Sequence, residues 1–279
     1  MSRFYNPVLT KELKLRFRSF KSFSGLIFYL TVLCVFIIGF VLLTTEFTGK
    51  GFFSPDESFA LFAVLTIIQM ALVLFITPSL TAGAISSERE KQTLNILLTT
   101  TQSSTQIIVG KLLSSLAFLV LMLVAGLPLY SFVFLFGGVS PGQLLSVFVF
   151  YFITMIAIGC IGVLFSTITK KTIVAMIATY GSIIFLGGMT AFFFFLTISF
   201  HNLTATATST SILAYFWAAI NPGALVLTLI SPEMASGLEE LSGIDLPVWG
   251  TYLLFYALIS IGCLALAIRK LRANMKSNR

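Results

Sequence analysis

Residues 83–111 read GAISSEREKQTLNILLTTTQSSTQIIVGK. The stretch lies between two long apolar runs. It holds four consecutive charged residues, Glu88, Arg89, Glu90 and Lys91, in a chain of which only 10% is charged. Ser87 with Glu90 three residues on has the spacing of a capping box, so a helix is expected to open here. Leu94, Leu97 and Leu98 follow at i, i+3 and i+4 and would give that helix one apolar face. Thr99 to Thr101 interrupt it. Ser103 with Gln106 makes a second capping box, opening the helix that climbs into the next apolar run. The expectation is a short amphipathic helix between two membrane helices, with an oily face that the bilayer does not cover and a protein partner must.

Composition supports that setting. The chain has 279 residues, 57% of them hydrophobic, and 29 are Phe. Its mean hydropathy is +1.02. Charge-free stretches of about 20 residues or more are the length a membrane-crossing helix needs. Six are expected, at roughly 23–43, 59–80, 112–136, 144–168, 172–198 and 248–268. Pro128 predicts a kink in the third. Residues 1–22 project Leu9, Leu13, Phe17 and Phe20 onto one helical face and Lys11, Lys14, Arg18 and Lys21 onto another. That pattern predicts an interfacial amphipathic helix lying on an anionic leaflet. The first apolar run has no small-residue cleavage site and reads as a retained span.

Residues 199–247 start Thr-rich and end acidic, with an apolar run, 212–230, broken by Asn221-Pro222-Gly223. Charge arithmetic decides its path. With six spans and both ends in the cytoplasm, only Lys50 of the 17 Lys and Arg lies outside. Seven of the 10 acids lie outside: Glu46, Asp56, Glu57, Glu233, Glu239, Glu240 and Asp245. A seventh span would turn the basic tail outward, against the positive-inside rule. The run therefore reads as a broken re-entrant or outward-lying pair. The net charge of +7 follows the same topology and is too dispersed to bind nucleic acid. The fold class expected is an all-α polytopic membrane protein forming one transmembrane domain over 1–279.

The string SSEREKQTLNILLTT followed by IIVGK closely resembles the first cytoplasmic loop of ABC-2 type transporter permeases. Glu88, Arg89, Glu90, Thr93, Leu94, Leu97, Leu98, Gly110 and Lys111 match that family's pattern. The chain departs from it at Gln92, where the family usually has Gly, and at Thr99 to Thr101, where it has Pro. NPVLTKELKLRFRS (6–19) and the Asn-Pro break before the last span are similar to the family as well, so the likeness runs over essentially the whole chain. The resemblance implies a multi-pass subunit of the cell membrane, half of a translocation path, paired with a second copy or a sibling permease. It implies a coupling helix that docks on a separate ABC ATP-binding subunit, which would bind ATP and Mg. The coupling residues it points to are Ser87, Glu88, Arg89, Glu90, Lys91, Thr93, Leu94, Leu97, Leu98 and Lys111.

No site for chemistry of the chain's own stands out. Gly110-Lys111 has Thr105 where a phosphate-binding loop needs its first Gly, and Leu112 where it needs a hydroxyl. Leu241-Ser242-Gly243 lies on the outer side and lacks the rest of an ABC signature. His201 is expected in the outer loop, without a second His or Cys at metal-ligand spacing. Cys34, Cys160 and Cys263 sit singly in apolar runs and read as packing residues. No Asp, Glu, Lys or Arg falls within the six spans. Ion-coupled transport relies on such groups, so any work done here is powered from elsewhere. The function expected is the permease subunit of an ATP-driven exporter. The alternative is a membrane anchor or sensor that binds an ATPase and transports nothing. An intramembrane enzyme is the third reading, and the absence of buried ionisable groups speaks against it.

Overall fold

The computed structural model describes residues 7–18, 20–48, 54–94, 103–135, 137–204 and 210–277. Among them every regular element is helical. In chain order these are α1 (Pro7–Phe17), α2 (Phe20–Thr48), α3 (Pro55–Thr81), α4 (Ser86–Glu90), α5 (Ser104–Leu135) and α6 (Pro141–Ile168). Then come α7 (Thr172–Ile184), a π-turn (Phe185–Met189), α8 (Thr190–Thr204), α9 (Ile212–Ile220), α10 (Pro222–Ile230), α11 (Pro232–Ser242) and α12 (Val248–Ser277). Among the described residues six helical stretches are long and apolar enough to cross a membrane, and the bent pair at 212–230 would make a seventh if it crosses as one span. The six correspond to α2, α3, α5, α6, α7 with α8, and α12. The chain is an all-α polytopic membrane protein.

Local sequence sets the ends of these helices. Ser54 and Ser140 each cap a helix reciprocally with the residue three on, Glu57 and Gln143, and Pro follows each cap at the first helical position. Pro78 and Pro128 lie inside α3 and α5, and both helices continue past them. Ser103 and Gln106 exchange both bonds of the expected capping box, at 3.0 and 3.2 Å.

Centre stage in the core go α3, α5 and α6, sealed by residues such as Leu65, Leu116 and Met155. Hydroxyls of buried tyrosines stitch the helices together. Tyr29 donates to Gln69 at 2.9 Å, Tyr151 to the carbonyl of Thr66 at 2.7 Å and Tyr256 to that of Ile220 at 3.0 Å. A second cluster joins α6 and α12 to α9 and α10 through Tyr215, Leu225 and Tyr252. At the first-loop end α3 and α6 nearly touch: a Cβ on Gly162 would collide with the Thr81 side chain. Only glycine permits that approach, and it brings the two chain turns beyond these helices within bonding reach.

The apolar run 212–230 is broken at its Asn-Pro-Gly. α9 and α10 are bent by 98° at Asn221. Asn221 is buried and works in both directions. Its Oδ1 accepts from the backbone N–H groups of Gly223 and Ala224, capping α10. Its Nδ2 donates to the Gly187 carbonyl at 2.7 Å and to Thr190 Oγ1 at 2.8 Å. Those two acceptors belong to the π-turn and to the first residue of α8, so the break in one segment locks an irregularity in another.

Two expectations need correction. The N-terminal helix is not continuous to residue 22: α1 ends at Phe17, the chain turns at Arg18, and Phe20 starts α2. Phe20 and Lys21 therefore leave the two faces projected from 1–22. The reason is packing, because α1 is tied to α5 by Glu12 on Lys111 and by Phe17 edge-on to Phe118. Lys11, Lys14 and Arg18 remain exposed on α1 and the turn after it, and Phe17 is half exposed. His201 lies in α8 and not in a loop. Leu241-Ser242-Gly243 is the end of α11, with Gly243 in the left-handed region at φ +68, a C-cap.

Candidate functional site

The turn after α3 leads into α4, whose first amides need acceptors. Ser87 was expected to supply one. The helix instead starts two residues earlier, with Ile85 at the cap position and no side-chain cap of its own. Ser87 lies inside α4 and donates backward to the Gly83 carbonyl. The acceptor comes from another part of the chain: Ser166 Oγ, at the end of α6, receives the N–H groups of Ile85 at 2.8 Å and Ser86 at 2.9 Å. A free N-terminus of a helix is satisfied by any acceptor placed there, and a Ser on the neighbouring helix is better placed than Ser87.

Arg89 and Glu90 repeat this exchange with opposite polarity. Arg89 donates to the carbonyls of Thr169 at 2.6 Å and Thr167 at 3.0 Å, at the C-terminal end of α6. Glu90 accepts from the Thr172 N–H at 3.0 Å and its hydroxyl at 2.7 Å, at the N-terminus of α7. The residue at the cap of α7 is Lys171, whose side chain makes no capping bond, and Glu90 serves in its place. A cation thus meets the negative end of one helix dipole and an anion the positive end of the next. The Thr172 bonds hold the Glu90 carboxylate below its ordinary pKa. Burial pushes the Arg89 guanidinium down from its usual value.

Glu88 turns the other way. Lys111, two turns into α5 and 6% exposed, donates to Glu88 at 2.8 Å and to Glu12 of α1 at 3.1 Å. One ammonium thus joins α1, α4 and α5.

The expected single helix from Ser87 through Leu98 does not form, because α4 stops at Glu90. Gln92 adopts a left-handed conformation, φ +58. The Thr93 N–H bonds the Glu88 carbonyl at 2.9 Å and the Gln92 N–H bonds that of Arg89 at 3.1 Å. This is a Schellman stop. Gln92 occupies the position that prefers glycine, the residue the resembling family usually carries there. Leu94 does not present an oily face to a partner: it is 6% exposed and lies in the same core cluster as Ile107 and Leu112. Leu97 and Leu98 lie outside the described residues. What the loop does expose is Glu90, Lys91, Gln92 and Thr93, with Lys170 and Lys171 exposed on the turn bonded to it.

Of the residues singled out in the sequence, the fold brings Glu88, Lys111 and Leu94 inward and ties Arg89 and Glu90 to the α6–α7 turn. It leaves Lys91 and Thr93 at the tip. Sequence reasoning missed Glu12, Ser166, Thr167, Thr169 and Thr172. The signal for four of them was the run Ser-Thr-Ile-Thr-Lys-Lys-Thr at 166–172, a cluster of hydroxyls where one helix ends and the next begins.

A family model described as ABC-2 family transporter protein matches residues 38–269. No curated protein matches the chain significantly.

Proposed function

The chain belongs to the ABC-2 family of transporter membrane proteins, a multi-pass permease whose partner is an ABC ATP-binding protein, and from that premise we propose how it is driven. It forms half of the translocation path of an exporter and pairs with a second copy or a sibling permease. The ATP-binding subunit docks on the tip at Lys91, Gln92 and Thr93, flanked by Lys170 and Lys171, and holds the ATP and Mg. The tip lies in the cytoplasm, where the basic loops and both termini are also placed by the positive-inside rule. One transmembrane domain, 1–279, comprises the interfacial helix at its start, the coupling loop at 83–111 and the outer broken segment at 199–247. Lys11, Lys14, Phe17 and Arg18 meet the membrane surface.

The observation that carries this reading is the contrast within the first loop. Glu88, Arg89 and Glu90 are consumed by bonds inside the chain, and Leu94 is buried. The exposed residues that follow Glu90 stand on a frame braced by three other helices. A braced tip can pass a push to the membrane helices, and a free loop would absorb it. The three lysines around the tip also fit an acidic docking face on the partner.

The test is Lys91→Glu with Lys171→Glu in the complex purified from membranes. The variant is expected to insert normally and to lose its ATP-binding subunit. Retention of that subunit with parental ATP turnover would remove this loop as the docking point.

A further inference from the structure

Two cytoplasmic turns far apart in sequence are joined here by bonds of an unusual kind: each closes an unsatisfied helix end. Ser166 caps α4, Arg89 caps the end of α6, and Glu90 caps the start of α7. Ser86 Oγ adds a contact to Thr172 Oγ1 at 3.3 Å. Neither α4 nor α7 has a side-chain cap of its own that could replace these, and at the end of α6 Thr169 satisfies only the Phe165 carbonyl. Pulling α4 away from the α6–α7 turn would therefore expose backbone groups of three helices at once. Charge–dipole attraction at both Arg89 and Glu90 opposes the same separation.

We infer that Arg89 and Glu90 are positioning residues that weld the first loop to the α6–α7 turn, so that the stroke received at the tip enters the fourth and fifth spans directly. This rests on the docking just proposed, and it changes the route: a simple loop would pass force only to the spans it connects, α3 and α5. Here α4 and the α6–α7 turn move as one body. The fifth span, which receives the motion at Thr172, contains the π-turn at Phe185–Met189. That irregular turn is held from the side by Asn221, so a push along α7 arrives at a joint braced by the outer broken segment.

The experiment uses the complete permease with its ATP-binding subunit in nanodiscs, with Cys34→Ser, Cys160→Ala and Cys263→Ser as parent. Spin labels on Ile177→Cys in α7 and Phe28→Cys in α2, both exposed, report the position of the fifth span. The probe is Mg-ATP trapped with vanadate. The parent is expected to show a shift in the label distance on trapping. Glu90→Ala with Thr172→Val is expected to keep the ATP-binding subunit bound and to lose the shift. A separate variant, Glu90→Cys with Thr172→Cys, is expected to keep parental ATP turnover when cross-linked, because the two turns never need to part. Loss of turnover on cross-linking would overturn the inference, as would a clamp variant whose α7 label still shifts like the parent's, or a parent with no shift. Failure of the ATP-binding subunit to join the unmutated complex would overturn the docking proposal, whereas loss of turnover or an unchanged α7 shift with the subunit bound overturns the weld alone.

Discussion

Gln92 sits in a left-handed conformation that costs an L-residue about 1 kcal/mol and costs glycine nothing. Gln92→Gly should raise the thermal unfolding temperature of the purified permease by an increment corresponding to about 1 kcal/mol, and Gln92→Val should lower it. Equal melting of all three proteins would mean that the stop at α4 is not strained. The position was half legible in the sequence. The departure from the family's glycine was visible, but its consequence, a helix ending at Glu90, needed the backbone. Lys111 shows the opposite case. Its Gly-Lys pair was noticed, and its partners Glu12 and Glu88 were not matched to it, since one lies 99 residues away. Lys111→Met leaves two carboxylates facing each other at a buried junction. Because both are partly solvated, the cost is roughly 1–3 kcal/mol. Denaturant unfolding in detergent would check it, and Lys111→Arg should recover part of the loss.

At the level of the element, the four loop charges read from sequence alone look like a solvated surface. Periodicity and capping rules see only neighbours a few residues apart, so caps supplied from about 80 residues away are invisible to them. The Glu90 cap makes a pH prediction. A carboxylate whose pKa is lowered in the folded state contributes stability above its unfolded pKa, and that contribution is lost as pH falls through the folded value. The folded value is lowered by the Thr172 bonds. Hydrogen exchange at the Thr172 amide, corrected for its intrinsic rate, should therefore speed up below the ordinary carboxylate range. In Glu90→Gln it should not depend on pH in that range, and a parental profile in that variant would exclude Glu90 as the titrating cap. The Asn221 joint was better signposted, since an Asn-Pro-Gly break in an apolar run admits few structures. What no local rule supplied was its second role at the π-turn. Asn221→Ala removes a cap and two donated bonds, a loss of about 2–4 kcal/mol. Asn221→Asp keeps the cap and loses the donors, so it should fall between parent and Ala in a thermal melt.

For the whole molecule, composition alone sufficed to find the six long apolar helices, because the bilayer imposes length and polarity on every helix that crosses it. How the helices associate was not legible, since apolar spans carry little pattern to tell one neighbour from another. The α3–α6 contact at Gly162 and the tyrosine bonds across the core emerged only from the fold. The exposed apolar faces of α2 and of α7 with α8 are the surfaces where lipid or a second permease subunit is to be sought. The central claim is that the tip of the first loop is gripped by a nucleotide-hydrolysing protein. It is tested most directly by placing a photo-crosslinking amino acid at Thr93 in intact cells and identifying the adduct. The account predicts a cross-link to an ABC ATP-binding protein that disappears with Lys91→Glu and Lys171→Glu. Labelling of Thr93 by a membrane-impermeant reagent from outside the cell, or an adduct that contains no nucleotide-binding protein, would contradict it.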